Sequence, residues 1–148
     1  MKRKILIIHG PNLNLLGERE PEIYGTVTLA EINRDLKKTA GAEVRCFQAN
    51  GEGEIVDFLH AQRRWAHGIV INPAAYTHYS YAIRDAISSI AIPTVEVHLS
   101  DIKKREPFRR KSVIKAVCIA QVSGLGPKSY SAGLKVLLKH LQGKSPKP

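Results

Sequence analysis

Acidic residues all but vanish from the last third of this chain. Of its 148 residues, positions 102–148 hold one acidic side chain, Glu106, against 12 basic ones, while positions 1–101 hold 12 acidic and 11 basic. The net charge of +10 therefore belongs to the C-terminal segment. A basic excess of this kind suits a nucleic acid, an anionic small molecule or a plain solvated surface. Aromatic residues make up only 6% of the chain, and the basic stretch lacks the interleaved stacking aromatics of single-strand binders. No specific nucleic-acid partner is expected. Cysteine is scarce too. Cys46 and Cys118 each lie in an apolar, strand-like run without a CxxC spacing, which argues for two buried reduced thiols and against a disulfide framework. The histidines, at 9, 60, 67, 78, 98 and 140, show no paired ligand spacing, so no metal is expected.

Long apolar runs are absent as well. No stretch approaches the ~20 apolar residues of a membrane helix. Lys2-Arg3-Lys4 precedes an apolar run, but that run is only Ile5–Ile8, too short for a signal-peptide core. A cytoplasmic protein, with no membrane partner, is the expectation. GxGxxG and GxxxxGK are missing, because Gly124-Leu125-Gly126 is followed by Pro127-Lys128-Ser129. That argues against a nucleotide site. A phospho-receiver would need an acidic cluster after its first strand, where this chain has Gly-Pro-Asn.

What is present is an alternation of strand and helix periods. Lys4–His9, Glu43–Gln48, Gly68–Asn72, Thr94–His98 and Ala116–Val122 read as short apolar strands. Thr28–Ala40, Glu54–Trp65, Tyr79–Ser88 and Ser129–Leu141 read as amphipathic helices, the first opened by the T-x-x-E box of Thr28 and Glu31. Continuous apolar strands alternating with helices imply a parallel sheet covered on both faces. In a chain of this size that means a flavodoxin-like, doubly wound α/β fold with five strands in the order 2-1-3-4-5. Neither repeat nor boundary divides the chain, so residues 1–148 read as a single catalytic domain, with 143–148 as a frayed polar tail.

Such a sheet binds its ligand beyond the carboxyl ends of the strands. The loop after the first strand carries Arg19 and Tyr24, punctuated by Gly17, Pro21 and Gly25. A guanidinium near a phenol favours the phenolate, a base able to take a proton from carbon. The glycine and proline punctuation suggests a lid that closes on substrate. His98 and Asn72 stand at strand ends where Val or Ile would be the ordinary choice. Imidazole is suited to deliver a proton to a leaving group. Glu96 lies two residues before His98 on the same strand face; it either orients His98 or pairs with an arginine. Asn72 has an alternative reading as a strand-end cap, and His78 one as a cap of the third helix. This set suits proton abstraction beside a carbonyl followed by loss of a leaving group, with no cofactor.

Five stretches, in order, carry a resemblance. They are Gly10–Gly17, Arg19–Gly25, Ile71–His78, Glu96–Ser100 and Arg105–Arg109. Together they resemble type II 3-dehydroquinate dehydratases along nearly the whole chain. The resemblance implies a hydro-lyase of the shikimate pathway, or of quinate breakdown, that turns 3-dehydroquinate into 3-dehydroshikimate and water without metal or Schiff base. It also implies a dodecamer built as four trimers. Tyr24 matches the proton-abstracting tyrosine, Arg19 the arginine that promotes the tyrosinate, and His98 the proton donor. Asn12 matches the asparagine holding a water at the enolate. Asn72, His78, Leu99, Ser100 and Arg109 match substrate-binding positions, Asp85 an aspartate reaching a neighbouring subunit's site, and Glu96 a supporting glutamate. The chain departs from the family pattern at Gly51, Ala74 and Asp101, where histidine, glycine and asparagine are usual. The rival reading is a catalytically dead protein of this fold, holding an anionic partner with its basic third.

Overall fold

A computed structural model describes residues 2–144; the rest of the expected tail, 145–148, lies outside the described residues. The five strands are β1 (Arg3–His9), β2 (Ala42–Gln48), β3 (Gly68–Asn72), β4 (Thr94–His98) and β5 (Ala120–Ser123). All neighbours run parallel, in the order β2-β1-β3-β4-β5, the flavodoxin-like order. The helices are α1 (Pro21–Tyr24), α2 (Leu29–Lys37), α3 (Glu52–Gln62), α4 (Tyr81–Ile90), α5 (Pro107–Arg110) and α6 (Lys128–Leu141).

Side-chain alternation along the strands divides the core in two. Ile5, Ile7, Val70, Val95 and Val97 meet Ile32 and Leu36 of α2 and Leu134 and Leu137 of α6. On the opposite face Leu6, Ile8, Ile69 and Ile71 meet Ile55 and Leu59 of α3 and Ile83 and Ile87 of α4. Helix α6 lies unusually tight on the sheet. A Cβ at Gly133 would stand 2.5 Å from Val97 Cγ1, so only glycine fits that crossing.

Several expected boundaries move, each for a local reason. Helix α2 is capped as its sequence suggests, with Thr28 Oγ1 accepting from Glu31 N–H at 3.2 Å. It ends at Lys37 rather than Ala40 because the chain turns into β2 through Gly41, at φ +81°. Helix α4 starts at Tyr81, not Tyr79. The hydroxyl of Ser80 accepts from Ile83 N–H at 3.1 Å and sets the start. Ala74–His78 before it forms a 3-10 turn. The fifth strand begins at Ala120, not Ala116. Ser112 Oγ accepts from the N–H groups of Ile114 and Lys115 and starts a 3-10 turn over Lys115–Val117. Cys118 therefore lies outside a strand, and both thiols are half-buried rather than fully enclosed. Burial still pushes the Cys46 thiol up to about 11 and Cys118 to about 12, so neither is a ready thiolate. Among the described residues no helix is long and apolar enough to cross a membrane.

Candidate active site

Three strand ends build one cavity. Its lining comes from Pro11, Asn12 and Leu13 after β1, Asn72, Ala74, Ala75 and His78 at β3, and His98, Leu99 and Ser100 at β4. Arg19 and Tyr24 close it from the long first loop, and Ile102, Arg105 and Arg109 from the segment after β4. The loops after β2 and β5 do not line it. Asn50, after β2, instead supports the wall: its Oδ1 accepts from Asn12 N–H at 3.0 Å, and its carbonyl accepts from the Tyr76 hydroxyl at 2.8 Å. The loops from β1 and β3 meet where a Cβ on Gly10 would stand 2.6 Å from the Pro73 carbonyl oxygen. The glycine before Pro11 lets the two rims touch.

Tyr24 is the last residue of α1, a single turn opened by Pro21. Arg19 lies over its ring, with the guanidinium carbon 4.1 Å from the ring centroid. The phenol oxygen, however, is met by Arg105, whose Nη1 donates to it at 3.3 Å and to Ser100 Oγ at 3.2 Å. Sequence reasoning gave Arg105 no role. Its only signal was its place in the Arg-Glu-Pro-Phe-Arg stretch. Burial opposes the charge on Arg105, but the hydrogen bond to Tyr24 and the charges of Tyr24, Glu106 and Glu20 raise its pKa above the ordinary value. Two guanidiniums thus address the phenol, one at its face and one at its oxygen.

His98 ends β4 with its Nε2 2.5 Å from Glu96 Oε2. Glu96 is completely buried and binds no arginine, which decides between the two readings of that residue. Thr77 and Ser112 donate their hydroxyls to the same carboxylate at 2.5 and 2.8 Å, two supports the sequence did not disclose. Burial alone would raise Glu96, but the hydrogen bond and charge of His98, with the two hydroxyls, hold it below the usual carboxylate range. Glu96 thus fixes the His98 ring through Nε2 at the wall of the cavity.

His78 does not cap α4; its Nδ1–H donates to the Lys111 carbonyl at 2.7 Å, which ties the 3-10 turn to the segment after α5. Burial lowers its pKa, with the Lys111 bond opposing and the charges of His98 and Arg109 adding to the fall. Arg109 pairs with exposed Glu106 at 2.7 Å. Asp85 is exposed on α4 and lies outside the cavity lining. His60, His67 and His140 lie outside it too, and His67 Nδ1 accepts from Lys4 N–H at 2.9 Å. Of the departures from the family pattern, Asp101 caps the following 3-10 turn through Lys103 N–H at 3.1 Å, a bond an asparagine oxygen would also make. Ala74 sits at φ +52°, a left-handed conformation that favours glycine. Gly51 precedes α3 in an extended conformation that any residue adopts.

Behind Asn72 lies a polar group that was also missed. His9, at the end of β1, is the register partner of Asn72, and Tyr130 of α6 reaches both. Burial lowers His9 to about 4 from an ordinary 6.5, against a hydrogen bond with Asn33 that raises it. A histidine held neutral by folding takes up its proton more readily when unfolded. Its contribution to stability is complete above pH 6.5 and is lost as the pH falls toward 4. Denaturant unfolding should therefore show a loss of about 2 kcal/mol between pH 7 and pH 5. Equal stability at the two values would mean that His9 is not held neutral.

No carboxylate lines this cavity among the described residues, while Arg19, Arg105 and Arg109 do. Its open space, counting the mouth, is about 620 Å³. Fold and cavity together define a doubly wound α/β protein whose arginine-lined cavity brings a phenol and an imidazole together. The sequence model of the family Dehydroquinase class II matches residues 3–138. The chain is 54% identical to the 3-dehydroquinate dehydratase of Geotalea daltonii, over 94% of this chain and 99% of that protein. It is 55% identical to the enzyme of the same name from Trichodesmium erythraeum, over 95% of each. The crystal structure of the type II dehydroquinase from Butyrivibrio crossotus superposes with a TM-score of 0.89 at 45% identity, covering 93% of this chain and 98% of that one. The chain belongs to the class II dehydroquinase family. None of these relatives supports the reading of an inert binding protein.

Proposed function

We propose that this chain converts 3-dehydroquinate to 3-dehydroshikimate and water by trans elimination through an enolate. The observation that carries the reading is a phenol flanked by two guanidiniums in the same cavity as an imidazole backed by a buried carboxylate. Tyr24, as phenolate, removes a proton from C2, beside the ketone. The C–H electron pair moves into an enolate, and preorganised donors around Asn12 carry its negative charge through a water. The enolate then re-forms the ketone as the C1 hydroxyl departs, protonated by His98. Glu96 holds the His98 ring by Nε2 and balances its charge. Arg109 is matched to the substrate carboxylate, because a guanidinium binds that fork through two parallel bonds. Asn72, His78, Leu99 and Ser100 complete the binding surface.

The same reading takes the chain as one catalytic domain acting in the cytoplasm, assembled as a dodecamer of four trimers. The exposure of Asp85, outside its own chain's cavity, supports a role for that residue across a subunit boundary. Lys103, Lys104, Arg110 and Lys111 are exposed on the segment that carries Arg105 and Arg109. They fit a rim that draws in an anion. The test is to add 3-dehydroquinate and follow the ultraviolet absorbance of the conjugated enone product. A rise at catalytic enzyme concentration is expected, and its absence from folded protein would sink the assignment.

A further inference from the structure

The group behind Asn72 has a direction that can be read bond by bond. Asn72 Oδ1 accepts from Ala74 N–H at 3.1 Å, which fixes the carboxamide with its nitrogen toward Tyr130. Asn72 Nδ2 then donates to the Tyr130 hydroxyl oxygen at 3.1 Å. The hydroxyl proton of Tyr130 is left for His9 Nδ1, at 2.7 Å. Nδ1 must therefore be the bare nitrogen, and the ring proton of His9 sits on Nε2, 2.7 Å from Asn33 Oδ1. All four groups agree on one polarity, running from the strand end at the cavity to helix α2. The other tautomer would set His9 Nδ1–H against the Tyr130 oxygen. The Tyr130 proton would then face an Asn72 N–H, and turning the amide over to relieve this would set its nitrogen against Ala74 N–H.

We propose that Tyr130, held by His9, is a positioning residue for the reaction: it locks the Asn72 carboxamide so that its second N–H is presented to the substrate. The inference rests on reading Asn72 as a substrate ligand. His9, Tyr130 and Asn72 are each at most 2% exposed, so water cannot replace a lost partner cheaply. Asn72 is also the member of the three that lines the cavity. One N–H of its amide is committed to Tyr130, and the other is the donor that remains for a ligand. The chain thus turns a flexible carboxamide into a preorganised donor, and the ordering cost is met on folding rather than on binding.

The test is a double-mutant cycle on KM and kcat for 3-dehydroquinate. Tyr130→Phe should raise KM about tenfold, the equivalent of one buried hydrogen bond, and change kcat less. In an Asn72→Ala background the same substitution should change KM less than about twofold, because Tyr130 acts through Asn72. Equal losses in both backgrounds would show a general structural role and overturn the proposal. If Asn72→Ala raises KM while Tyr130→Phe is silent, the proposal alone fails. If Asn72→Ala leaves KM unchanged, the reading of Asn72 as a ligand fails and takes the proposal with it. Should Tyr130→Phe not fold, nitrogen-15 NMR of His9 in the unaltered enzyme decides. A ring proton on Nε2 at pH 7 is expected, and a proton on Nδ1 would overturn the polarity on which the proposal stands.

Discussion

Replacing Tyr24 by phenylalanine should lower kcat by a factor on the order of 10³, within the range for losing a positioned base, and leave KM within a few-fold. The substitution removes one oxygen. The ring keeps its place at the end of α1 and its contact with the core under α2 and α6, and Arg19 keeps its aromatic face 4.1 Å away. Arg105 loses one hydrogen bond at 3.3 Å but retains Ser100 Oγ at 3.2 Å, so the cavity wall should hold. An interaction needed only as the proton leaves carbon appears in kcat, whereas one that holds substrate and transition state equally appears in KM. Steady-state absorbance of the enone separates the two. A Tyr24→Phe enzyme keeping more than about a tenth of the wild-type rate would remove Tyr24 from the role of base.

The parts of this molecule that sequence disclosed are those in which one residue type is out of place within its own element. Ile5–Ile8 and Gly68–Asn72 are too apolar for half-exposed strands, and they proved to be fully buried parallel ones. Asn72 and His98 are polar where a strand end would ordinarily be aliphatic, and both line the cavity. His9 obeys the same rule at the end of β1, yet its partner Tyr130 reads as an ordinary aromatic on the inner face of α6. Nothing local says that its hydroxyl crosses to β1 and β3. Arg105 was hidden for a similar reason, since 81 residues separate it from Tyr24 and the contact exists only once the segment after β4 folds back over the first loop. Thr77 and Ser112 converge on Glu96 from either side of α4, and their sequence spacing carries no period that would have joined them. The misplaced start of β5 has the opposite origin. Ala116–Ala120 is apolar enough for a strand, but the hydroxyl of Ser112 captures the amides of Ile114 and Lys115 and turns the chain first.

His98→Ala should separate the two halves of the reaction. Proton removal from C2 needs the base and the enolate-stabilising donors; departure of the hydroxyl needs the acid. Without the imidazole, dehydration should fall by a factor on the order of 10²–10⁴. Exchange of the C2 hydrogen with solvent deuterium, followed by NMR of recovered substrate, should fall much less. The truncation also leaves Glu96 buried without its imidazole partner, although Thr77 and Ser112 still donate to it. A buried carboxylate stripped of its counter-charge can cost about 3–5 kcal/mol, so thermal unfolding has to accompany the kinetics. The companion variant Glu96→Gln keeps the His98 ring and removes the counter-charge. It should slow dehydration more than exchange as well, since it removes the charge that favours the protonated imidazole and leaves Tyr24 and its two arginines untouched. A rise in the exchange-to-dehydration ratio in both variants would assign His98 and Glu96 to the second step. If exchange and dehydration fall together in both, the imidazole serves to position substrate, and the proton for the departing hydroxyl has to come from another group in the cavity.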